Sequence, residues 1–342
     1  MQNCSHKHWS YFRILSILVL LGGVCSGLLA NPAPQAVKGR LDLRQWNWRA
    51  EGSVNLEGEW AFFWDQLLEP GELVGSSEDY LALPGPWKGS SKQGTELSTT
   101  GYATYRLEIL LPEGEEILAL KVPPIRSAFR LWANGELRGT SGEGGKSKET
   151  YFPSYHPQVL ALSIKGQSLE LVLQIANFHH RNGGPGFPIE IGTHDQIVRQ
   201  NNNTDLYEIF LMASLFMMAL YHFGLFLIRS KETAALFFAL YCTFSFLRVP
   251  LEGQYIFYGL FPGTNLAIWL RVDYLTILGV GLFFCMFLAR LFPAEWHRWA
   301  TRVILVGLAI FCLFILFLPL TAAAWYIPLI QGFILLGGIY CI

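Results

Sequence analysis

The chain has 342 residues, a hydrophobic fraction of 52% and a formal net charge of −1 at pH 7. This length leaves room for two domains, and a nearly neutral chain is not typical of a nucleic-acid-binding protein, which usually has a basic surface. Residues 31–205 carry 16 Lys and Arg against 21 Asp and Glu, whereas residues 206–342 carry 7 and 5 among long apolar runs. We therefore expect a soluble first part and a membrane-embedded second part.

The N-terminus has the features of a secretory signal. Lys7 and Arg13 precede an apolar run that ends at Leu29, and the small residue Ala30 follows. This order predicts a signal peptide over residues 1–30, with an uncleaved membrane anchor as the alternative. Residues 31–200 contain no cysteine, so a disulfide framework or thiolate metal site is excluded there.

Residues 31–200 alternate short strand patterns with turn signals. "YRLEILLP" places Tyr105, Leu107 and Ile109 on one face, and "SLELVLQIAN" does the same for Leu169 to Ile175. "ILALKVPPI" is a further strand, which its two prolines place at an edge or a strand end. We predict an all-β domain over residues 31–200, an antiparallel β-sandwich or jelly roll.

One hairpin in this region is marked clearly. In "FRLWANGELRG" the pair Asn134-Gly135 favours the type I′ turn that joins two antiparallel strands. Alternation along the first strand puts Arg130 and Trp132 on the face opposite to Phe129. Among the tryptophans of this domain, Trp132 is therefore the better candidate for an exposed side chain.

The polar stretch "NNNTD" is predicted to be a linker over residues 201–205, followed by a helical membrane region over 206–342. About five spans are expected, and the last apolar run reaches the end of the sequence, so we expect the chain to be truncated. The spans are 209–228, 233–249, 272–289, 303–320 and 324–342.

Loop charges predict the orientation of these spans. Arg229 and Lys231 follow the first span, and Arg290, Arg298 and Arg302 follow the third. The positive-inside rule places both loops in the cytoplasm. The β-rich domain then lies on the outer, periplasmic side of a bacterial inner membrane, as a signal peptide also requires.

Two stretches in the β-rich domain look like known binding motifs but do not meet the requirements of a phosphate-binding loop or a metal site. "GTSGEGGKS" has Thr140 where a phosphate-binding loop requires glycine. His179 and His180 are neighbours, so their side chains point to opposite faces of a strand and do not easily hold one metal ion. No paired carboxylates, nucleophile elbow or zinc-protease motif is present. The sequence thus predicts no metal site, no cofactor and no enzyme activity.

Aromatic and polar side chains of the β-rich domain are candidates for a ligand platform, since stacking and hydrogen bonding suit a sugar. Trp60 and Trp87 are also candidates for this platform, and the alternative is that they are core residues. The glycine-rich stretch after His180 is expected to shape a loop beside the platform. The candidate ligand-binding residues are Arg130, Trp132, Asn177, His179 and Arg181.

Five polar residues of the membrane region are candidates for coupling the two domains. His222 lies within the first span and is either a helix-packing hydrogen-bond donor or a protonatable switch. Four charges fall at the outer ends of the second and third spans and form either a paired cluster or independent groups that reach the interface. These charges are Arg248, Glu252, Arg271 and Asp273.

Several stretches, taken in order, carry a family resemblance. They are "GEWAFFW", "LPGPW", "GYATYRLEILLP", "SAFRLWANGELRGTSGEGG", "LELVLQIANFHHRNGG" and "MALYHFGLFLIRSKETAALFFALYCTFSFLR". Together they resemble bacterial seven-transmembrane receptors with diverse intracellular signalling modules. The β-rich part also resembles the sugar-binding domain of family 2 glycoside hydrolases.

The resemblance implies a galactose-binding-like jelly roll that senses a ligand, with carbohydrate as a candidate class. It also implies that the signal passes through the helices to a cytoplasmic output module, which is missing from this chain. The alternative is a transporter or membrane enzyme with an accessory carbohydrate-binding domain. The expected partners are membrane lipid, a small-molecule or carbohydrate ligand and, as a candidate state, a second copy in a homodimer; nucleic acid is not expected.

Overall fold

The computed structural model describes residues 33–73, 79–92, 94–114, 117–125, 127–164, 166–180, 182–261, 266–294, 296–318 and 326–335. The predicted signal peptide, Arg181 and the last seven residues of the predicted fifth span lie outside these ranges. The described residues form a β-rich region followed by a helical region.

Two main sheets build the β-rich region. In spatial order the larger one contains β10 (Glu136–Ser141), β9 (Ala128–Ala133), β12 (Ser168–Asn177), β7 (Gly101–Leu110), β3 (Gly58–Trp64) and β4 (Tyr80–Leu83). The smaller one contains β11 (Gln158–Leu162), β8 (Leu118–Val122), β13 (Glu190–Thr193) and β2 (Val54–Asn55). These strands pair antiparallel, and the predicted β-sandwich is confirmed.

Three short strands and one short helix complete this region. β1 (Arg40–Asp42) joins the larger sheet beside β7, and this pair is parallel, unlike the antiparallel arrangement predicted throughout. β5 (Ser91–Lys92) and β6 (Thr95–Glu96) form a separate ribbon. The helix α1 spans Trp48–Glu51, with Asn47 as its N-cap.

The core lies between the two main sheets. Tyr105, Leu107 and Ile109 of β7 are fully buried, as the alternation predicts. Trp60 and Trp87 are also fully buried, so both are core residues. Opposite them, β8 contributes Leu118, Leu120 and Val122. The apolar face of each sheet is thereby removed from water, which is the main term that stabilises such a sandwich.

The strand containing "ALKV" is not at an edge of the smaller sheet. β8 pairs with β11 on one side and with β13 on the other. Its last residue is Val122, so Pro123 and Pro124 follow the strand and remove no hydrogen bond from it. The prolines mark the end of a central strand, and the edge alternative is wrong.

A continuous helix leads from the sandwich towards the membrane. α2 spans His194–Ile228 and is N-capped by Thr193, which exchanges hydrogen bonds with Gln196 in a capping box. The predicted linker over 201–205 lies inside this helix, and residues 194–200, predicted to be part of the sandwich, form its first turns. Local hydrogen bonds within the polar stretch, such as Asn201 to Asp205 at 3.1 Å, satisfy its side chains, and no proline interrupts it.

The rest of the chain is helical. The elements are α3 (Thr233–Arg248), a 3-10 turn (Val249–Leu251), α4 (Ile256–Leu260), α5 (Leu266–Leu291), α6 (Arg298–Phe317) and α7 (Tyr326–Leu335). Gly279 of α5 packs on Phe244 of α3, where a Cβ atom would lie 2.0 Å from the ring. A small residue at this position lets the two helices approach closely.

Three described helices are long and apolar enough to cross a membrane: His194–Ile228, Thr233–Leu251 and Leu266–Leu291. The described apolar parts of α6 and α7, Thr301–Phe317 and Tyr326–Leu335, are shorter. The described residues therefore contain a helix at each of the five predicted spans, of which three have full spanning length.

Candidate functional site

The sandwich contacts the helical region through aromatic rings. Tyr155, in the loop between β10 and β11, is 1% exposed. Its ring centroid lies 6.0 Å from that of Tyr255 and 5.8 Å from that of Tyr258. The latter two belong to the segment that connects α3 with α5. We call this contact region, formed by Tyr155, Tyr255 and Tyr258, the junction.

Glu208 of α2 holds the same connecting segment. Its Oε1 accepts a hydrogen bond of 3.0 Å from the backbone N–H of Gln254, and the residue is 8% exposed. Gly253 has φ +64°, and a Cβ atom there would lie 2.1 Å from Oε1. Glycine at 253 is therefore required both by the left-handed backbone and by the approach of the carboxylate. The contact ties α2 to the junction.

Three of the four predicted charges form one cluster beside the junction. Arg248 Nη1 lies 3.0 Å from Asp273 Oδ1, and Arg248 Nη2 also pairs with Glu252. The side chains of Arg248 and Asp273 are 22% and 16% exposed. The paired-cluster alternative thus describes these three residues, and Arg248 is their shared centre.

Arg271 does not belong to this cluster. Its guanidinium donates hydrogen bonds to the carbonyl oxygens of Leu316 at 2.7 Å and Leu318 at 3.1 Å, and also to that of Ile315. These carbonyls are at the C-terminal end of α6, where backbone acceptors lack helical partners and a cation is favourable. Arg271 therefore caps α6, and the paired-cluster alternative does not describe it.

A cavity of about 200 Å³ opens between the sandwich and the helices. Tyr155 and His180 contribute from the sandwich, and the charged cluster contributes from the ends of α3 and α5. Tyr255, Tyr258 and Tyr274 also line it. The cavity brings aromatic side chains of the sandwich together with charged and aromatic side chains of the helical region.

The predicted ligand residues do not form one open platform. Arg130 is exposed, but Trp132 is only 6% exposed; its register partners on the neighbouring strands are Leu137 and Val172. Trp132, the candidate for an exposed tryptophan, is therefore buried. A buried ring at this position offers no stacking face to a sugar.

Asn177, at the end of β12, is fully buried and uses its side chain internally. Its Nδ2 donates to the carbonyl oxygens of Thr99 at 2.7 Å and of His180 at 2.8 Å, and its Oδ1 accepts from the backbone N–H of His180 at 3.0 Å. Asn177 therefore closes the loop that begins after β12. That loop carries His180 into the lining of the cavity.

His179 lies on the same loop after β12. Its ring packs against Tyr151, which belongs to the loop between β10 and β11. Its Nδ1 is 2.6 Å from the Tyr151 hydroxyl, and its Nε2 has no hydrogen-bond partner among the described residues. Burial, together with the charge of neighbouring His180, lowers the pKa of His179 to about 4. Burial also raises the pKa of the Tyr151 hydroxyl. Both side chains are therefore neutral near pH 7, with the hydroxyl donating to Nδ1.

The low pKa of His179 predicts acid sensitivity. The unfolded chain takes up this proton near pH 6.5, and the folded chain only near pH 4, so stability falls as the pH is lowered between these values. We expect His179→Gln to remove part of that loss, measured as the difference in unfolding midpoint between pH 7 and 5. The exposed His156→Gln is the control. An equal effect of both variants would contradict the assignment.

His222 of α2 serves packing in the described contacts. Its Nδ1 lies 2.9 Å from the carbonyl oxygen of Met218, one turn earlier, and its ring centroid is 4.5 Å from that of Phe238 on α3. These contacts favour the helix-packing alternative over a protonatable switch.

Sequence reasoning missed the aromatic junction and Glu208. The signals were present as "YFPSYHP" and "QYIFYG", two aromatic-rich stretches, and as one carboxylate directly before an apolar run. Nothing in either stretch indicates that the two meet, because they are about 100 residues apart in the chain. Only the tertiary structure brings Tyr155 to Tyr258.

The described helices define the class of this protein as an integral membrane protein with an N-terminal β-sandwich. Residues 204–342 match the family described as 7TM diverse intracellular signalling. The C-terminal part of the chain thus matches the model of a signalling family, in agreement with the resemblance seen in the sequence. A search of curated proteins gives no match.

Among solved structures, the chain is similar to a β-glucuronidase from Faecalibacterium prausnitzii, with 15% identity, a TM-score of 0.31 and coverage of 41% of this chain and 31% of the enzyme. A β-galacturonidase from Eisenbergiella tayi, bound to galacturonate, gives 15% identity, a TM-score of 0.30 and coverage of 41% and 24%. The chain spans less than a third of the length of either enzyme. Likeness at this level assigns no activity or ligand to this protein.

Proposed function

We propose that the chain is a membrane-bound sensory receptor. In this proposal the sandwich lies on the outer face of the bacterial cytoplasmic membrane and binds a small-molecule or carbohydrate ligand. The membrane helices pass the resulting change to an output module on the cytoplasmic side. The match of residues 204–342 to a signalling family supports this assignment.

The observation that carries the proposal is the continuity of α2. At 35 residues and about 1.5 Å per residue the helix is roughly 50 Å long. Its start is fixed in the sandwich, where Ile197 is fully buried, and Glu208 fixes it to the junction. Because an α-helix transmits displacement along its axis far better than a flexible linker, movement of the sandwich reaches the first membrane span.

The charged residues favour a receptor over a transporter. Transport sites near the bilayer midplane are typically built from broken helices and buried charges. The three full-length spans described here are unbroken, and the charged cluster lies at the ends of α3 and α5. Charges at the ends of these helices are explained by coupling between the sandwich and the helical region. They are not explained by transport across the bilayer.

Within this proposal the ligand contacts the loop that follows β12. Arg130 is exposed, and His179 belongs to the loop that Asn177 closes. Arg181, outside the described residues, stays a ligand residue predicted from the sequence. The buried Trp132 is left out of the ligand set. A carbohydrate would have to be held by polar groups of this loop and by tyrosine rings of the junction.

The orientation is tested by two matched Lys→Cys variants. Lys146→Cys lies in an exposed loop of the sandwich, and Lys231→Cys lies in the exposed loop between α2 and α3. In spheroplasts a membrane-impermeant maleimide should label Lys146→Cys and leave Lys231→Cys unlabelled until the membrane is opened. The chain without introduced cysteines gives the background. Labelling of Lys231→Cys in sealed spheroplasts would overturn the receptor proposal.

A further inference from the structure

We propose that a groove between the sandwich and the first membrane helix binds the headgroup of phosphatidylethanolamine, a phospholipid with a phosphate and a primary ammonium group. The inference goes beyond the receptor function and does not depend on it. The groove has a volume of about 440 Å³. Lys121 of β8, Asp205 of α2 and Gln254 of the segment between α3 and α4 line it, so an occupant contacts both the sandwich and the helices. The groove shares Tyr255 with the cavity at the junction, and its other lining residues are different.

The groove lies at the level where the first membrane span begins. Ile209, the first residue of the predicted span 209–228, lines the groove, and Asp205 lies one turn earlier on α2. The helix surface beside them is apolar and open, with Leu206 64% and Phe210 70% exposed. In a membrane-spanning helix such residues face lipid. A phospholipid whose acyl chains pack on this surface therefore has its headgroup beside the groove.

The groove carries two opposite charges that the described residues leave unmatched. Lys121 makes no ion pair or hydrogen bond with these residues, and it does not pair with Asp205. Asp205 accepts one hydrogen bond, of 3.1 Å from Asn201 Nδ2 to its Oδ2, and it too has no ion pair in the described ranges. Glu208, one turn further along α2, adds a second carboxylate, whose Oε2 has no hydrogen-bond partner in the described part of the chain. An anion beside Lys121 and a cation beside Asp205 are therefore both favoured.

The headgroup of phosphatidylethanolamine supplies both charges in one molecule. Its phosphate accepts hydrogen bonds from the Lys121 ammonium, and the exposed His156, which also lines the groove, is a further donor. The ammonium group of the lipid donates to the carboxylate of Asp205. The acyl chains continue along α2 from Ile209.

Related molecules match only part of this arrangement. Phosphatidylglycerol has the phosphate but no cation, so Asp205 stays unmatched. Phosphatidylcholine has a cation without N–H groups, which cannot donate a hydrogen bond to the carboxylate. Glycerophosphoethanolamine has the same headgroup without acyl chains and makes no contact with the apolar surface of α2.

The test uses the delipidated full chain in detergent micelles, with lipid binding followed by native mass spectrometry. At equal acyl-chain length we expect phosphatidylethanolamine to bind about tenfold more tightly than phosphatidylcholine, because the latter loses a hydrogen bond to a charged group. Phosphatidylglycerol should also bind more weakly. Equal binding of the three lipids would overturn the proposal. Competition by an equal amount of glycerophosphoethanolamine would show that a soluble molecule is the occupant and would overturn the lipid assignment.

One pair of variants tests the phosphate side. Lys121→Gln should weaken the binding of phosphatidylethanolamine and phosphatidylglycerol alike, about fivefold, because both lose one cation beside the phosphate. Lys121→Arg keeps the charge and should keep the binding. Lys146→Gln, at an exposed loop residue of the sandwich, is the control and should change neither lipid. Equal losses in Lys121→Gln and Lys146→Gln would contradict the site.

A second pair tests the ammonium side. Asp205→Asn should lower the binding of phosphatidylethanolamine to the level of phosphatidylcholine and leave phosphatidylglycerol bound at least as tightly, which also shows that the variant is folded. Asp195→Asn, at an exposed residue in the first turn of the same helix, should leave the lipid preference intact. A preference for phosphatidylethanolamine that survives Asp205→Asn would refute the proposed headgroup contact.

Discussion

Arg248→Met should be among the most destabilising single substitutions in the helical region. Arg248 compensates both Asp273 and Glu252, so its removal leaves two carboxylates together beside the membrane. Removing one partner of a largely buried ion pair costs about 3 kcal/mol. We expect a clear fall in the thermal unfolding midpoint of the full chain in detergent micelles.

The pairing is tested by a double-mutant cycle. Asp273→Asn alone leaves Arg248 with Glu252 and should cost less than Arg248→Met. The double variant should cost less than the sum of the two single losses, because the more deeply buried carboxylate, that of Asp273, is then neutral and only the half-exposed Glu252 has lost the pairing with Arg248. Arg229→Met, which breaks an exposed pair of 3.5 Å with Glu232, should change stability by less than about 0.5 kcal/mol. Strictly additive losses would show that Arg248 and Asp273 are not energetically coupled, and would contradict the pairing.

Trp87→Ala should have the largest effect in the sandwich. Trp87 is fully buried, packs edge-on against Trp64 at 4.9 Å between ring centroids, and donates its indole N–H to the hydroxyl of buried Tyr105. Loss of the ring leaves a cavity and an unsatisfied hydroxyl, for a cost of about 3–5 kcal/mol. Hydrogen exchange of the amides of β7 in the full chain measures the loss.

The same tryptophan positions the loop near the cavity. Its backbone N–H donates to the carbonyl oxygen of Gly183 at 2.8 Å, and a Cβ atom at Gly183 would lie 2.1 Å from the Trp87 ring. Trp87→Phe should therefore cost less than Trp87→Ala, since it keeps most of the packing. Leu137→Ala, at a residue 52% exposed, is the control and should change exchange by less than about 0.5 kcal/mol. Similar exchange in Trp87→Ala and Leu137→Ala would contradict the prediction.

Much of the sandwich was readable from the sequence because strand periodicity reports burial directly. Alternation in "YRLEIL" and "LELVLQI" identified the buried faces of β7 and β12. Asn134 and Gly135 have φ +48° and +81°, the left-handed values that the type I′ turn needs. Long apolar runs likewise marked the membrane helices, since a lipid-facing helix cannot carry many charges.

The predictions that failed concern how elements continue or meet. The polar run 201–205 looked like a linker because asparagine is a weak helix former, yet the cap at Thr193 and the apolar run after it hold one helix through it. Trp132 was the candidate for an exposed tryptophan and is buried. Alternation tells which face of a strand a side chain lies on, and it does not tell what covers that face.

Periodicity and hydropathy along single segments were enough to predict a β-rich part followed by an apolar helical part. Which charges pair depends on the packing of the helices and could not be predicted from the sequence. Arg248 and Arg271 occupy similar places in the sequence, but Arg248 contacts two carboxylates and Arg271 caps α6. The contacts of the junction could not be predicted from the sequence either, because Tyr155 and Tyr258 meet only after the sandwich and the helices have packed. Contacts between distant segments depend on how the elements are arranged in space, and neither periodicity nor composition encodes that arrangement.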